Sequence, residues 1–296
     1  MIEDNKKKFT FAIRYIICSV LQIQTMDRTT GNNKYSNWDS LLVELQSKGR
    51  YTFTFDELRT RFDLSEETLL QVVYRYKSKK QVAQIRKGFY AIIPPEYSSQ
   101  GMLPPYLFID DLMKSLNKQY YVALLSAASI YGAAHQQPME SFVIARSPAP
   151  RSIKNNKLKI TFLSKKDWVQ EGVIKQKTNA GYMNVSVPEL TALDFFEYTH
   201  VLGINRIVSV LQELVEEMKA STLVKIAGQY TNTAAIQRLG YILQVHLSQE
   251  KLADSLWKVL NKRDFFHVAL SPQKEKKGEA DNRWRVIKNM KIESDL

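Results

Sequence analysis

Cysteine is nearly absent: Cys18 is the only one in 296 residues. A single thiol closes no disulfide within a chain and builds no thiolate zinc cluster. The expected setting is therefore a reducing one, the cytoplasm. Phosphate cradles are missing as well, because no GxxxxGK[ST] or GxGxxG run occurs. His135, His200, His246 and His267 stand singly, without an HExxH pair. No apolar run is long enough to span a bilayer: Phe9 to Ile23 is broken by Arg14 and Gln22. That stretch follows Lys6, Lys7 and Lys8 as a signal core would, yet it has no small-residue cleavage site. Two carboxylate arrangements remain. Asp194 and Glu197 lie three apart without a partner histidine, and Glu275-Lys276-Lys277 matches only the ExK half of a nuclease signature. No catalytic residue, metal site, cofactor or membrane partner is expected, and the chain reads as a non-enzyme.

What is present is core-forming residues and positive charge. Hydrophobic residues make up 44% of the chain, enough for packed domains, and 42 Lys and Arg against 30 Asp and Glu give a net charge of +12. A polyanion or an acidic protein is the natural partner of such a chain.

The densest pattern runs from Thr54 to Pro95. Thr54-Phe-Asp-Glu57 is a capping box, in which Thr54 accepts from the Glu57 amide and Glu57 reaches back to the Thr54 amide. It opens a short helix to about Phe62. Ser65 followed by Glu66 and Glu67 starts a second helix, with acidic residues at the positive end of its dipole. Leu69, Val72, Val73 and Tyr76 fall at i, i+3, i+4 and i+7, so they form one buried stripe. The opposite side carries Glu67, Gln71, Tyr74, Arg75 and Ser78, with Thr68 at its edge. Val82 to Ile85 and Phe89 to Ile93, around Arg86-Lys87-Gly88, read as a β-hairpin. Helix, turn, helix and hairpin make a winged helix. No Asp or Glu occurs from Thr68 to Pro95, whereas Arg75, Lys77, Lys79, Lys80, Arg86 and Lys87 do. The expected ligand is double-stranded DNA, with the second helix in the major groove and the hairpin on phosphates. Its contacts are expected from Thr68, Gln71, Tyr74, Arg75, Lys77, Ser78, Lys79, Lys80, Arg86 and Lys87. The same pattern also fits a helical hairpin with a solvated basic face, or a module that binds another protein.

Around this centre the chain divides readily. Residues 1–33 form an N-terminal extension outside the fold, either helical or upstream of a true start at Met26. The winged-helix domain spans 34–96, its first helix from Trp38 to about Gln46, capped by Ser36 or Asn37 and stopped before Gly49. The Pro-, Gly- and Ser-rich stretch 97–105 reads as a linker between independently folding cores. Residues 106–296 form an α+β domain, with a possible subdomain break near 188. In it a helix to Leu116 precedes an apolar helix from Tyr121 to Tyr131, ended by Gly132. Strands follow at 141–145, 158–163, 173–177 and 182–187. Helices follow from Pro188 to Leu260, and short strands close the chain near 265–270 and 284–287. Arg146, Arg151, Lys154, Lys157, Lys159, Lys165 and Lys166, with no acidic residue between Ser141 and Lys166, suggest a second basic surface or a lysine-guarded sheet edge.

The order of parts resembles the AbiEi-type antitoxins of abortive-infection, or toxin–antitoxin, systems. The resemblance rests on the Trp38-to-Ile93 region, Tyr120-Tyr-Val-Ala-Leu-Leu-Ser-Ala-Ala-Ser-Ile-Tyr-Gly132 and Pro188-Glu-Leu-Thr-Ala-Leu-Asp-Phe-Phe196. Arg238-Leu-Gly-Tyr-Ile-Leu243 and Arg283-Trp-Arg-Val-Ile-Lys-Asn289 extend it. The resemblance implies an N-terminal winged helix-turn-helix that binds inverted repeats in promoter DNA and represses its own operon. It also implies a mixed α/β C-terminal antitoxin domain that counters a nucleotidyltransferase toxin, in phage defence. The first thirty residues depart from the family's compact pattern.

Overall fold

The computed structural model describes residues 33–133, 140–155 and 157–293. The N-terminal extension, the Met26 start and His135 lie outside them. The chain divides into two units after Ser47. Among the described residues the first is a single helix, Asn33–Ser47. It starts earlier than expected: neither Ser36 nor Asn37 caps it, since the helical backbone runs through both, and nothing in Asn33-Lys-Tyr-Ser-Asn breaks a helix. Leu41, Leu42 and Leu45 are buried, as their spacing requires.

The second unit opens with β1 (Thr52–Thr54), the helix Phe55–Arg61, the helix Glu66–Ser78, β2 (Val82–Arg86) and β3 (Phe89–Ile92). Thr54 and Glu57 form the full capping box, and Ser65 accepts from the Thr68 amide. Burial raises the Glu57 carboxyl, but hydrogen bonds from Arg50 and the Thr54 amide outweigh it and leave the group below its ordinary value. The three strands pair antiparallel in the order β1-β3-β2. Every residue of β3 is buried. Its alternation explains how. Phe89, Ala91 and Ile93, with Ile85 of β2, face a core that includes Met102, Phe108, Leu112, Val122, Val143 and Met183. Tyr90 points the other way and stacks on Phe53, centroids 5.4 Å apart. Thr52, fully buried, donates to Asp111 Oδ2 at 2.5 Å. Residues on both sides of 97–105 thus share one core, and this stretch does not separate two independent ones. The Pro- and Gly-rich composition marks a change of direction: Leu103 within it is itself buried in the shared core.

Beyond it stands a six-stranded mixed sheet in the order β6-β7-β5-β4-β9-β8. Its strands are β4 (Tyr120–Val122), β5 (Ser141–Arg146), β6 (Ile153–Lys154), β7 (Lys159–Lys165), β8 (Val173–Thr178) and β9 (Gly181–Ser186). The helix expected from Tyr121 to Tyr131 is reduced to Leu124–Ala128 and a 3-10 turn, Ser129–Tyr131. Tyr120, Tyr121 and Val122 instead form the central strand, paired with Ala145, Ile144 and Val143 of β5. An apolar run buried on both faces has no polar alternation, so its composition alone does not separate strand from helix. Period two then divides the sheet's side chains between two cores. Val143 and Ala145 join the core shared with β3, whereas Phe142 and Ile144 face the helices. The edge strands β6 and β8 expose Lys154, Lys175 and Lys177.

The helical layer begins at Pro188–Glu197, with Pro188 in its first turn. Ile204–Leu214, Ala220–Gln229, Thr233–Tyr241 and Glu250–Leu260 follow, and a π-helical turn, Ile242–His246, extends Thr233–Tyr241. The tail returns as β10 (Val268–Ala269) and β11 (Val286–Ile287), shorter than expected and parallel to each other. Gly240 lets this tail close. A Cβ there would stand 2.0 Å from Cζ3 of the fully buried Trp284. Trp284 is held by Nε1 donating to Gln244 Oε1 and by its carbonyl accepting from Gln237, each at 2.8 Å. Gly240→Ala is expected to destabilise by about 1–3 kcal/mol through overpacking. That reverses the gain of about 1 kcal/mol that glycine-to-alanine brings inside an open helix. Urea unfolding decides the sign, and a more stable variant would show that Trp284 yields.

Candidate nucleic-acid interface

The helix Glu66–Ser78 buries Leu69, Val72, Val73 and Tyr76, so its opposite side faces away from the core. Gln71, Tyr74, Arg75, Lys77 and Ser78 are exposed there, and Thr68 is half-buried. Thr68 and Ser78 are engaged at the helix ends. Thr68 Oγ1 lies 2.9 Å from Ser65 Oγ at the N-cap, and Ser78 Oγ donates to the Tyr74 carbonyl at 3.0 Å. Both therefore serve the helix ends before any ligand. Lys77 Nζ donates to Gln84 Oε1 of β2 at 3.0 Å, which ties the helix to the hairpin. Tyr74 is 70% exposed and Leu70, one turn earlier, 47%.

The remaining expected residues fall in two places. Lys79 and Lys80 form the turn between helix and hairpin, where Lys80 takes a φ of 58° and Lys79 Nζ sits 5.8 Å from the Tyr76 ring. Arg86 and Lys87 lie at the hairpin tip, next to Gly88 at φ 77°. The Gly88 carbonyl accepts from the Phe55 amide at 2.9 Å, so the tip is clamped to the start of the first short helix. The five residues of β2 separate the two basic groups by about 17 Å at the usual strand rise. Cations thus stand at the hairpin's base, directly after the helix, and at its tip. Such an arrangement can bridge phosphates on either side of a groove. Leu70 is exposed on this side of the helix although it carries no polar group. Its signal was its position, one residue beyond Leu69 and outside the apolar stripe.

The second basic surface is altered by folding. Arg146, Arg151, Lys154, Lys157, Lys159 and Lys166 are exposed, but Lys159 pairs with Glu140 at 2.5 Å, and Arg146 donates to Gln119. Lys165 is not on the surface at all. At the end of β7 it is 4% exposed, and Nζ donates to Asp194 Oδ1 and Glu197 Oε2 at 2.6 Å each and to Tyr230 Oη at 2.9 Å. Tyr121 Oη donates to Asp194 Oδ2 at 2.8 Å, and Tyr230 Oη also bonds to Glu197. Burial pushes the Asp194 carboxyl up, opposed by Lys165, and the two carboxylates hold the Lys165 ammonium above its ordinary value against burial. Asp194 and Glu197 therefore do have a partner, brought from 29 residues away in sequence for Asp194. All three ammonium hydrogens are used internally, which makes the cluster a fastening between sheet and helices. Glu275 and Lys277 pair with each other at 2.7 Å on the surface.

Among the described residues no three His, Cys, Asp or Glu come together as metal ligands, and no helix is long and apolar enough to cross a membrane. The fold is similar to that of the RV2827C protein from Mycobacterium tuberculosis, with a TM-score of 0.59 and 17% identity over 85% of this chain and 91% of that one. A weaker likeness, with a TM-score of 0.33 and 8% identity, links 50% of this chain to 89% of an antigenic nucleotidyltransferase-like protein from Paracoccidioides brasiliensis. No curated protein matches the chain. Residues 121–245, from the central strand to the π-helical turn, match the family model of the AbiEi antitoxin C-terminal domain. That stretch is therefore similar to the C-terminal domain of the AbiEi-type antitoxins.

Proposed function

We propose that this chain is an antitoxin that binds promoter DNA through a winged helix within residues 34–96, represses its own operon, and counters a nucleotidyltransferase toxin through its C-terminal α+β domain, without catalysis of its own. The observation that carries the DNA reading is the outward face of Glu66–Ser78, where Gln71, Tyr74 and Arg75 are exposed on the helix that leads into a hairpin with cations at its base and tip. The antitoxin role is supported by the family match over 121–245. Gln pairs with adenine and Arg with guanine by two hydrogen bonds each, worth about 1–3 kcal/mol of discrimination. Lys87, at the tip, meets phosphate, which carries the same charge beside every base.

Arg75→Ala is expected to weaken binding to the operator far more than to scrambled duplex. Lys87→Ala is expected to weaken both alike and to flatten the salt dependence by about one unit of log–log slope. Binding titrations on both duplexes across a salt series test this. Equal losses on both duplexes for Arg75→Ala would remove this helix as the reader. Salt-insensitive binding would favour the other reading, in which the same face docks a protein.

A further inference from the structure

The helix Glu66–Ser78 carries two large apolar side chains that folding does not use. Leu70 and Tyr74 are 47% and 70% exposed, and the helix buries only Leu69, Val72, Val73 and Tyr76. Four residues apart, they lie one above the other on one flank, while Gln71 and Arg75 occupy the other. Single exposed apolar residues are ordinary on a protein surface. A stacked pair along one flank of a face otherwise built for hydrogen bonding is a different matter, because it lowers solubility at a place that the buried stripe does not use. The surroundings name the occupant. Glu66 and Glu67 stand one turn before Leu70 at the start of the helix, but Lys77, Lys79 and Lys80 follow the pair and no further carboxylate occurs from Thr68 to Pro95, so the field beyond the first turn favours a polyanion. In the major groove of duplex DNA the apolar group on offer is the C5-methyl of thymine.

We propose that Leu70 and Tyr74 form an apolar ridge that selects thymine methyl groups in the bound duplex, a reading that rests on the DNA-binding function above. Gln71 and Arg75 supply directional hydrogen bonds to purine edges on one flank of the helix. The ridge supplies methyl contacts on the other, so the preferred site contains thymine at defined steps beside the adenine or guanine those two residues read.

Deoxyuridine isolates the methyl group, since it keeps every hydrogen-bonding group and charge of thymidine. Duplexes enriched by the full chain from a random pool are resynthesised with deoxyuridine in place of each thymidine in turn. Binding to the contacted positions is expected to weaken about fourfold per methyl, the worth of one such group removed from water. Leu70→Ala and Tyr74→Ala, both surface changes, are expected to bind the thymidine and deoxyuridine forms equally at the position each contacts. This loss of discrimination separates direct contact from any change in duplex stiffness, which both proteins would feel. Equal binding of the two duplex forms by the unaltered chain overturns the proposal and leaves DNA binding standing. So does an unchanged ratio in both variants. If no duplex is enriched at all, the DNA-binding reading fails with it.

Discussion

Lys165→Ala is expected to cost about 3–5 kcal/mol of folding stability, a large share of what a domain of this kind possesses. The loss is not that of a salt bridge at a surface, which is worth little. Asp194 is fully buried, and without the ammonium its charge has only the hydroxyls of Tyr121 and Tyr230 to answer it. The loss should also carry a pH signature. Burial already lifts the Asp194 carboxyl above its ordinary value of 3.8, and Lys165 is the main force pulling it down. Removing Lys165 lifts it further. A group whose folded value lies above its unfolded one contributes stability while protonated, and loses that contribution as pH rises through the folded value. The variant's deficit should therefore be smallest in acid and widen towards neutral pH. Urea unfolding of both proteins at about pH 5 and pH 8 measures it. A deficit equal at both values would mean that the cavity, not the stranded carboxylates, is responsible. Lys165→Met combined with Asp194→Asn should recover most of the loss, because apolar packing in place of a buried pair is often neutral.

A fragment of residues 34–96 is expected neither to fold stably nor to bind DNA, although it contains every residue of the proposed interface. The hairpin has no solvent face to spare. Ile85, Phe89, Ala91 and Ile93 are 7% exposed or less, and they belong to a core completed by Met102, Phe108, Leu112, Val122, Val143 and Met183. Cutting after residue 96 uncovers them, at about 1.5–3 kcal/mol for each large side chain left exposed. Three such side chains are enough to consume the stability of a small domain. Circular dichroism and thermal unfolding of the fragment against the full chain give the comparison. A cooperative melt in the fragment would show that β3 is held by its own helices alone.

What was legible in the sequence was local. The capping box at Thr54, the Ser65 cap, the Leu69-to-Tyr76 stripe and the hairpin at Gly88 all depend on neighbours within a few residues, and each was placed with its partners. Four of the six strands of the large sheet, β5, β7, β8 and β9, are legible because turns bound them, whereas β4 and the two-residue β6 are not. The errors are of another kind. Tyr120-Tyr-Val122 is a strand because β5 and β9 flank it, and nothing in three apolar residues announces those flanks. Lys165 looked like one more surface cation because its carboxylates lie about thirty positions away. The stretch 97–105 looked like a spacer because proline and glycine mark bends as well as linkers. Along Glu66–Ser78 periodicity places the buried stripe and so the exposed side, but polarity gives no reason to single out Leu70 on it.

The lysines at the rims of the large sheet decide how this domain meets other chains. A sheet that ends on bare strands offers its unpaired amides and carbonyls to any extended peptide, its own copies included. Here the two outermost strands are the two-residue β6, with Lys154, and β8, with Lys175 and Lys177 pointing into water. Adding a strand at either rim means desolvating those ammonium groups against whatever arrives. Backbone-to-backbone recognition is thus discouraged at both ends of the sheet, and the selectivity of this domain for a partner falls to side chains on its loops and helices.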